Sequence, residues 1–392
     1  MSTTDTSGGG AGVERRILLR GAVPELLSRL AASGQRVIGP VANGKGCEFA
    51  ELGPNRSTSP GAVGRGSTPS ATNGSHAPAV RPERGDGQEA RCGHGYGDIA
   101  WDYVQTTLSA KSAVFPPYEP MIQFRINGRQ VDAREIAADA RPTVLFGLHP
   151  CDAASFDTLR AVFDWDTSDA YFDPKLERLT IIGLSCTHAD AYCFCTSVGG
   201  SPGGTTGSDL LLTPLDAERF LVEVLTPGGQ AVVKLAPELF QPASPTASKD
   251  AVLATVPKRF DGPAIGGRLA GVFDKADIWL EQSLRCIGCG ACAFVCPTCS
   301  CFDIQDERGR DGGIRLRCWD ACGFGLFTLH ASQHNPRSKQ SERWRQRVMH
   351  KFAYQPERLG VLGCVGCGRC SRACPVDMNL GEHVQSLAEA TV

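Results

Sequence analysis

No stretch of this 392-residue chain approaches the ~18 unbroken apolar residues of a membrane-spanning helix, so no span is expected. An excess of one charge is missing too. The 40 Lys and Arg stand against 42 Asp and Glu, which gives no field for nucleic acid or an anionic membrane surface. Met1 to Arg16 is polar and rich in Gly, Ser and Thr, and lacks the apolar segment of a secretion signal. A reducing cytoplasm is therefore the expected compartment. No G-x-G-x-x-G follows a strand and opens a helix, and there is no P-loop, so neither flavin nor nicotinamide is expected on this chain. Adjacent cysteines are absent, which argues against a heterodisulfide-reductase type of chain. No serine or cysteine sits in a triad setting. Isolated histidines such as His188 and His383 read as structural.

Cysteine, by contrast, is abundant, with 18 in all. Near the C-terminus a run of four occurs twice. The first is Cys286-Ile-Gly-Cys289-Gly-Ala-Cys292-Ala-Phe-Val-Cys296-Pro297, and the second is Cys364-Val-Gly-Cys367-Gly-Arg-Cys370-Ser-Arg-Ala-Cys374-Pro375. This C-x2-C-x2-C-x3-C-P spacing holds cubane [4Fe–4S] clusters, and in two-cluster ferredoxins the fourth cysteine serves the other cluster. Cys286, Cys289, Cys292 and Cys374 are thus expected around one cluster, and Cys364, Cys367, Cys370 and Cys296 around the other. Gly288, Gly290, Gly366 and Gly368 allow the loops positive φ, so that amides can approach sulfide without a Cβ clash. Structural zinc normally takes two separated ligand pairs around one ion, which fits these runs less well. Two clusters make a short electron wire.

The fold class expected is an α/β N-terminal domain with a β-α-β unit, followed by a mainly helical ferredoxin-like [4Fe–4S] dicluster domain. Residues 1–12 read as a flexible tail, 13–278 as the α/β domain and 279–392 as the dicluster domain. About 53–97 is rich in Gly, Ser, Pro and Thr and poor in large apolar residues, so it reads as a disordered insertion. Leu18–Leu30 has helical spacing, and Arg36–Ile38 reads as a strand. Thr143–Leu148 and Leu179–Leu184 read as parallel strands around a helix from Ala153 to Phe163, with Asp152 as its N-cap. A hairpin is expected from Phe220–Leu225 and Gln230–Leu235.

The parallel strands carry a further set. Cys151 follows the first strand, and Cys186, Cys193 and Cys195 follow the second. Both carboxyl ends lie on one sheet edge, where open α/β sheets bind ligands. Four thiolates there suffice for a third [4Fe–4S] cluster; the competing reading is buried apolar cysteine. Cys299, Cys301, Cys318 and Cys322 read as lining the core, with a further cluster as the alternative and Cys318 and Cys322 sharing a face if Arg317–His330 is helical. Cys47 and Cys92 read as ordinary thiols. The basic segment His334–Lys351 reads as a solvated helix face, with docking to an acidic partner as its functional alternative.

The block Cys296-Pro-Thr-Cys-Ser-Cys-Phe-Asp303, then Trp319-Asp-Ala-Cys322, His334-Asn-Pro-Arg337 and His350-Lys-Phe352 resembles the 4Fe–4S dicluster subunit, the β chain, of cytosolic sulfhydrogenases. The subunit that feeds electrons to the sirohaem partner in anaerobic sulfite reductase is a relative of that β chain. Lys111 with Phe115-Pro-Pro-Tyr-Glu119, His149-Pro-Cys-Asp152, and Cys193-Phe-Cys195 before Gly199-Gly-Ser-Pro202 fit the same pattern. The resemblance implies an electron-transfer subunit that is not catalytic alone. Its implied partners are a ferredoxin-reductase-type subunit with FAD and NAD(P), and a [NiFe] hydrogenase module with nickel or, in the other branch, a sirohaem sulfite reductase subunit. Two other classes are a non-catalytic iron–sulfur sensor or scaffold, and a self-sufficient reductase acting at a site-differentiated third cluster.

Overall fold

A computed structural model describes residues 13–44, 46–54, 94–244 and 247–390. The expected tail, most of the expected insertion and Cys92 lie outside these residues. The first strands are β1 (Glu14–Leu19), β2 (Arg36–Ala42), β3 (Cys47–Gly53), β4 (His94–Gly95), β5 (Tyr118–Asn127), β6 (Gln130–Glu135) and β7 (Thr143–Leu148). After them come β8 (Leu179–Leu184), β9 (Leu210–Pro214), β10 (Arg219–Val224), β11 (Phe240–Pro242), β12 (Phe302–Arg308) and β13 (Gly312–Trp319). Nine of them form one sheet in the order β11-β1-β10-β9-β8-β7-β2-β3-β4.

The centre of that sheet is parallel: β2 pairs β7, β7 pairs β8 and β8 pairs β9 in the same direction. Every residue of β7 is buried, as parallel strands covered on both faces require. Val144 and Phe146 join Leu26, Leu27 and Leu30 of helix Val23–Ala32 on one face. Leu145 joins Phe156, Leu159 and Phe163 of helix Pro150–Phe163 on the other. This is the expected β-α-β unit with parallel strands. The register shifts at Gly147, whose φ of 77° suits glycine and whose added Cβ would sit 3.0 Å from Pro40. The kink falls just before His149-Pro-Cys-Asp152 and so aims that segment off the sheet edge.

Several local expectations are corrected. Leu18 lies in β1, and the first long helix runs only from Val23, with Pro24 in its first turn. His149, not Asp152, occupies the N-cap position of helix Pro150–Phe163. The second arm of the expected hairpin is helix Pro227–Leu235, because the Thr226 hydroxyl caps the Gly229 amide and Pro227 suits the first turn. Arg317–His330 is not a helix: β13 runs to Trp319 and turns follow, which leaves Cys318 opposite Asp303 and Tyr118.

The C-terminal part is not helices alone, since β12 and β13 pair with each other there. They also extend a second sheet, in the order β12-β13-β5-β6, which draws β5 and β6 from the other side of residue 279. Exposed side chains run along β6 and β12. Inside, Glu119 of β5 receives both Lys175 and Arg317, and Arg317 also reaches Asp169 at 2.6 Å. Helices between 265 and 389 pack Phe260, Ile265, Leu269, Trp279, Trp344 and Phe352 into another core. Among the described residues no helix is long and apolar enough to cross a membrane.

The cysteine runs meet the large sheet through one buried ion pair. Arg369, between Cys367 and Cys370, forks onto Asp152 with both contacts at 2.5 Å, and it also donates to the Thr106 hydroxyl and carbonyl. The two side chains are 2% and 1% exposed. Burial pulls the Arg369 pKa down, but Asp152 more than offsets this and holds it above its ordinary value. Removing one partner of such a pair leaves a bare buried charge and costs about 3–5 kcal/mol, whereas an apolar pair of similar size is tolerated. Arg369→Ala is thus expected to lower unfolding stability in urea by about that amount, and Asp152→Leu with Arg369→Met to restore most of it. A loss below about 1 kcal/mol in the single variant would show the pair to be incidental.

Candidate metal centres

Both cysteine runs fold the same way. Gly288 and Gly290 take φ of 68° and 74°, and Gly366 and Gly368 take 66° and 70°. Each second glycine leads into a four-residue turn of helix, Ala291–Phe294 in one run and Arg369–Arg372 in the other. Close packing adds a second demand for glycine. A Cβ on Gly366 would lie 2.6 Å from the Cys195 backbone, and one on Gly368 would lie 2.5 Å from the Tyr192 carbonyl.

Two cavities follow from this geometry. Cys286, Cys289, Cys292 and Cys374 line one, and Cys296, Cys364, Cys367 and Cys370 line the other. Cys370 stands on the wall of both. Donors point at the sulfurs: Gln340 reaches Cys286 Sγ at 3.0 Å, the Met378 amide reaches Cys374 at 3.2 Å and the Gly366 amide reaches Cys364 at 3.4 Å. Such donors stabilise anionic sulfur and set cluster potential. A tetrad of thiols around a cavity, with amides and an amide side chain aimed at sulfur, fits a cubane. Among the described residues no three His, Cys, Asp or Glu side chains are placed to hold a single metal ion.

Burial shifts several of the thiols. It raises Cys292 to about 11, with Cys370, Cys322 and Cys286 adding to the effect against Arg347, and Cys364 to about 12. Cys296 goes the other way, held low by a hydrogen bond with Cys299 and by Lys351 and Arg347. Iron would therefore displace protons at Cys292 and Cys364 on loading.

Of the set at the sheet edge, Cys151 and Cys195 share the wall of an open cleft with Cys364 and Gly199–Ser201. Cys186 and Cys193 are not on that wall. Cys186 is pushed up by burial and then by Cys195 and Cys193, so those three are neighbours. Gln105 donates to Cys151 at 3.1 Å and Arg372 to Cys193 at 3.2 Å. His188 is exposed beside Asp102, and His383 packs on Trp344.

The basic segment is not a plain solvated face. Helix Gln340–Met349 and the π-turn His350–Tyr354 carry Arg347 and Lys351 inward, both buried. Lys351 Nζ lies 3.4 Å from Cys296 Sγ, and Arg347 lies 3.5 Å from Cys299 Sγ. Arg343 and Arg345 turn instead to the carbonyls of Arg337, Ser338 and Phe273. Sequence reasoning passed over Arg347, Lys351 and Arg369 as partners of the cysteines. The one signal for them was that Lys351 falls inside a family-like motif and Arg369 inside a run.

Comparison with known proteins agrees with this geometry. Residues 285–378 match the family described as a 4Fe-4S dicluster domain. Over 298 residues the chain is 30% identical to sulfhydrogenase 2 subunit beta of Pyrococcus furiosus, covering 74% of this chain and 85% of that protein. No solved structure matches.

The tight approach at Gly366 can be tested directly. Gly366→Ala combines a positive φ with a Cβ against backbone, so the loop must shift. Reconstituted with iron and sulfide, this variant is expected to bind roughly half the iron of the two tetrads, leaving the first run loaded. Wild-type iron content would show that the loop is not constrained there.

Proposed function

This chain belongs to the family of sulfhydrogenase β subunits, and from that premise we propose that it relays electrons between a ferredoxin-reductase-type subunit carrying FAD and NAD(P) and a [NiFe] hydrogenase module. One observation carries the proposal: two cysteine tetrads line adjoining cavities with Cys370 between them. Iron–sulfur clusters supply one-electron uptake and release, and the residues of this chain do the rest. Cys286, Cys289, Cys292 and Cys374 would hold the first cluster, and Cys364, Cys367, Cys370 and Cys296 the second. A further cluster at Cys151, Cys186, Cys193 and Cys195 would lengthen the path towards the sheet edge. Neighbouring amides and the buried Lys351 favour anionic sulfur, and the surrounding apolar core keeps water from it.

The ends of the wire differ in exposure. Cys289 is exposed, and Ile287 beside it is 65% exposed. Cys367, in the other tetrad and next to the Asp152–Arg369 pair, is buried. We place the docking side of one partner at the Cys289 loop, where an apolar rim over a cluster shortens electron transfer to a neighbour.

Three experiments test this reading. Anaerobic purification of the tagged native complex should yield nickel without sirohaem bands; sirohaem without nickel would move the chain to the sulfite reductase branch. Within the chain, Cys286→Ser and Cys374→Ser are expected to erase the same reduced-state EPR signal, and Cys364→Ser and Cys296→Ser the other. Cys289→Ser should reduce hydrogen-driven NAD(P) reduction by the complex at least tenfold, while hydride exchange at the partner flavin stays near wild type. Equal survival of both activities would remove this chain from the electron path.

A further inference from the structure

Outside the two tetrads, three more cysteines share one buried nest. Cys299 and Cys301 leave the first run in an extended segment, and Cys322 arrives from the turn after β13. The Cys301 and Cys322 thiols are in hydrogen-bond contact, and Cys299 touches Cys296. Cys318 is not part of this group, since it sits opposite Asp303 and Tyr118.

The surroundings of the nest are electrically unusual. Lys111, Arg347 and Lys351 are 2%, 4% and 4% exposed. Among the described residues none of the three pairs with a carboxylate; their neighbouring acidic groups are cysteines. Lys111 Nζ donates to the Cys299 carbonyl at 2.9 Å and lies over the Trp319 ring at 4.0 Å. Arg347 reaches Cys299 Sγ and also donates to Cys322, while its Nε is buried with no partner.

A buried cation is stable only beside compensating negative charge, and neutral thiols do not supply it. Lys351, at Cys296, is accounted for by the second tetrad. Arg347 is shared, donating to the Cys292 carbonyl at 2.9 Å beside the first tetrad while it reaches Cys299 and Cys322 here, and Lys111 stands at the Cys299 carbonyl with Cys301 nearby.

We propose that Cys299, Cys301 and Cys322 are the three thiolate ligands of an additional [4Fe–4S] cluster whose fourth iron has no cysteine, with Arg347 and Lys111 as its counter-charges. This goes beyond the relay reading and does not depend on which partners the chain has. A cube held by three thiolates should lose its unique iron on oxidation. The [4Fe–4S]2+ core gives up one electron to ferricyanide and one Fe2+ to solution, leaving [3Fe–4S]+ with three ferric ions.

The test uses the full-length chain, reconstituted anaerobically, with iron analysis and EPR before and after ferricyanide. Wild type is expected to develop an oxidised [3Fe–4S] signal near one spin per chain. Cys301→Ala and Cys322→Ala should each bind about four fewer irons and lose that signal, while keeping both reduced tetrad signals as the check on folding. Cys318→Ala should match wild type. Absence of the oxidised signal in wild type would overturn the proposal whether or not the variants fold. So would its persistence in Cys301→Ala and Cys322→Ala.

Discussion

The buried fork between Arg369 and Asp152 is the contact on which the rest of the molecule depends. Arg369 stands inside the second cysteine run, and Asp152 lies in the first turn of the helix that leaves β7. Neither charge is stable in that position without the other, so the loop of the second cysteine run and the sheet edge are fixed relative to one another. Gly366 and Gly368 then pack against the backbone of Cys195 and Tyr192, closer than any side chain would allow. Cys151, Cys195 and Cys364 come to share one cleft as a consequence. The α/β sheet therefore acts as the rigid wall against which the iron–sulfur region is built.

Charge compensation runs through the same region. Arg347 and Lys351 point from helix and π-turn towards sulfur, and Lys111 donates to the Cys299 carbonyl. Cations buried among thiols suit a metal-loaded chain better than an empty one. Burial favours the protonated thiol at Cys292 and Cys364. Loading with iron replaces those protons and satisfies the cations together, so folding and cofactor binding are expected to be coupled.

Much of this arrangement was legible in the sequence, where a strong local rule applied. β7 and β8 read as buried parallel strands because both are unbroken apolar runs flanking a helical segment. The cysteine runs announced their loops through spacing and glycine. Rules failed where local signals conflicted. Pro227-Gly-Gly229 read as a turn, yet Thr226 caps a helix there. The ribbon of β12 and β13 was missed because β12 is exposed along its whole length and shows no apolar alternation. Its pairing with β5 joins residues nearly 200 positions apart, which no window of sequence encodes. The inward turn of Arg347 and Lys351 was equally invisible, because a basic helix looks the same whether its charges face water or buried sulfur.

The central claim is that the two tetrads hold adjoining clusters that act as one short conductor. EPR of the fully reduced chain tests it most directly, because two nearby half-integer spins broaden and split each other. The account predicts mutually coupled signals from the two tetrads, about two spins besides those of any further cluster, and loss of that coupling when either tetrad is disabled. Narrow, independent signals from the two tetrads in the fully reduced chain would contradict it.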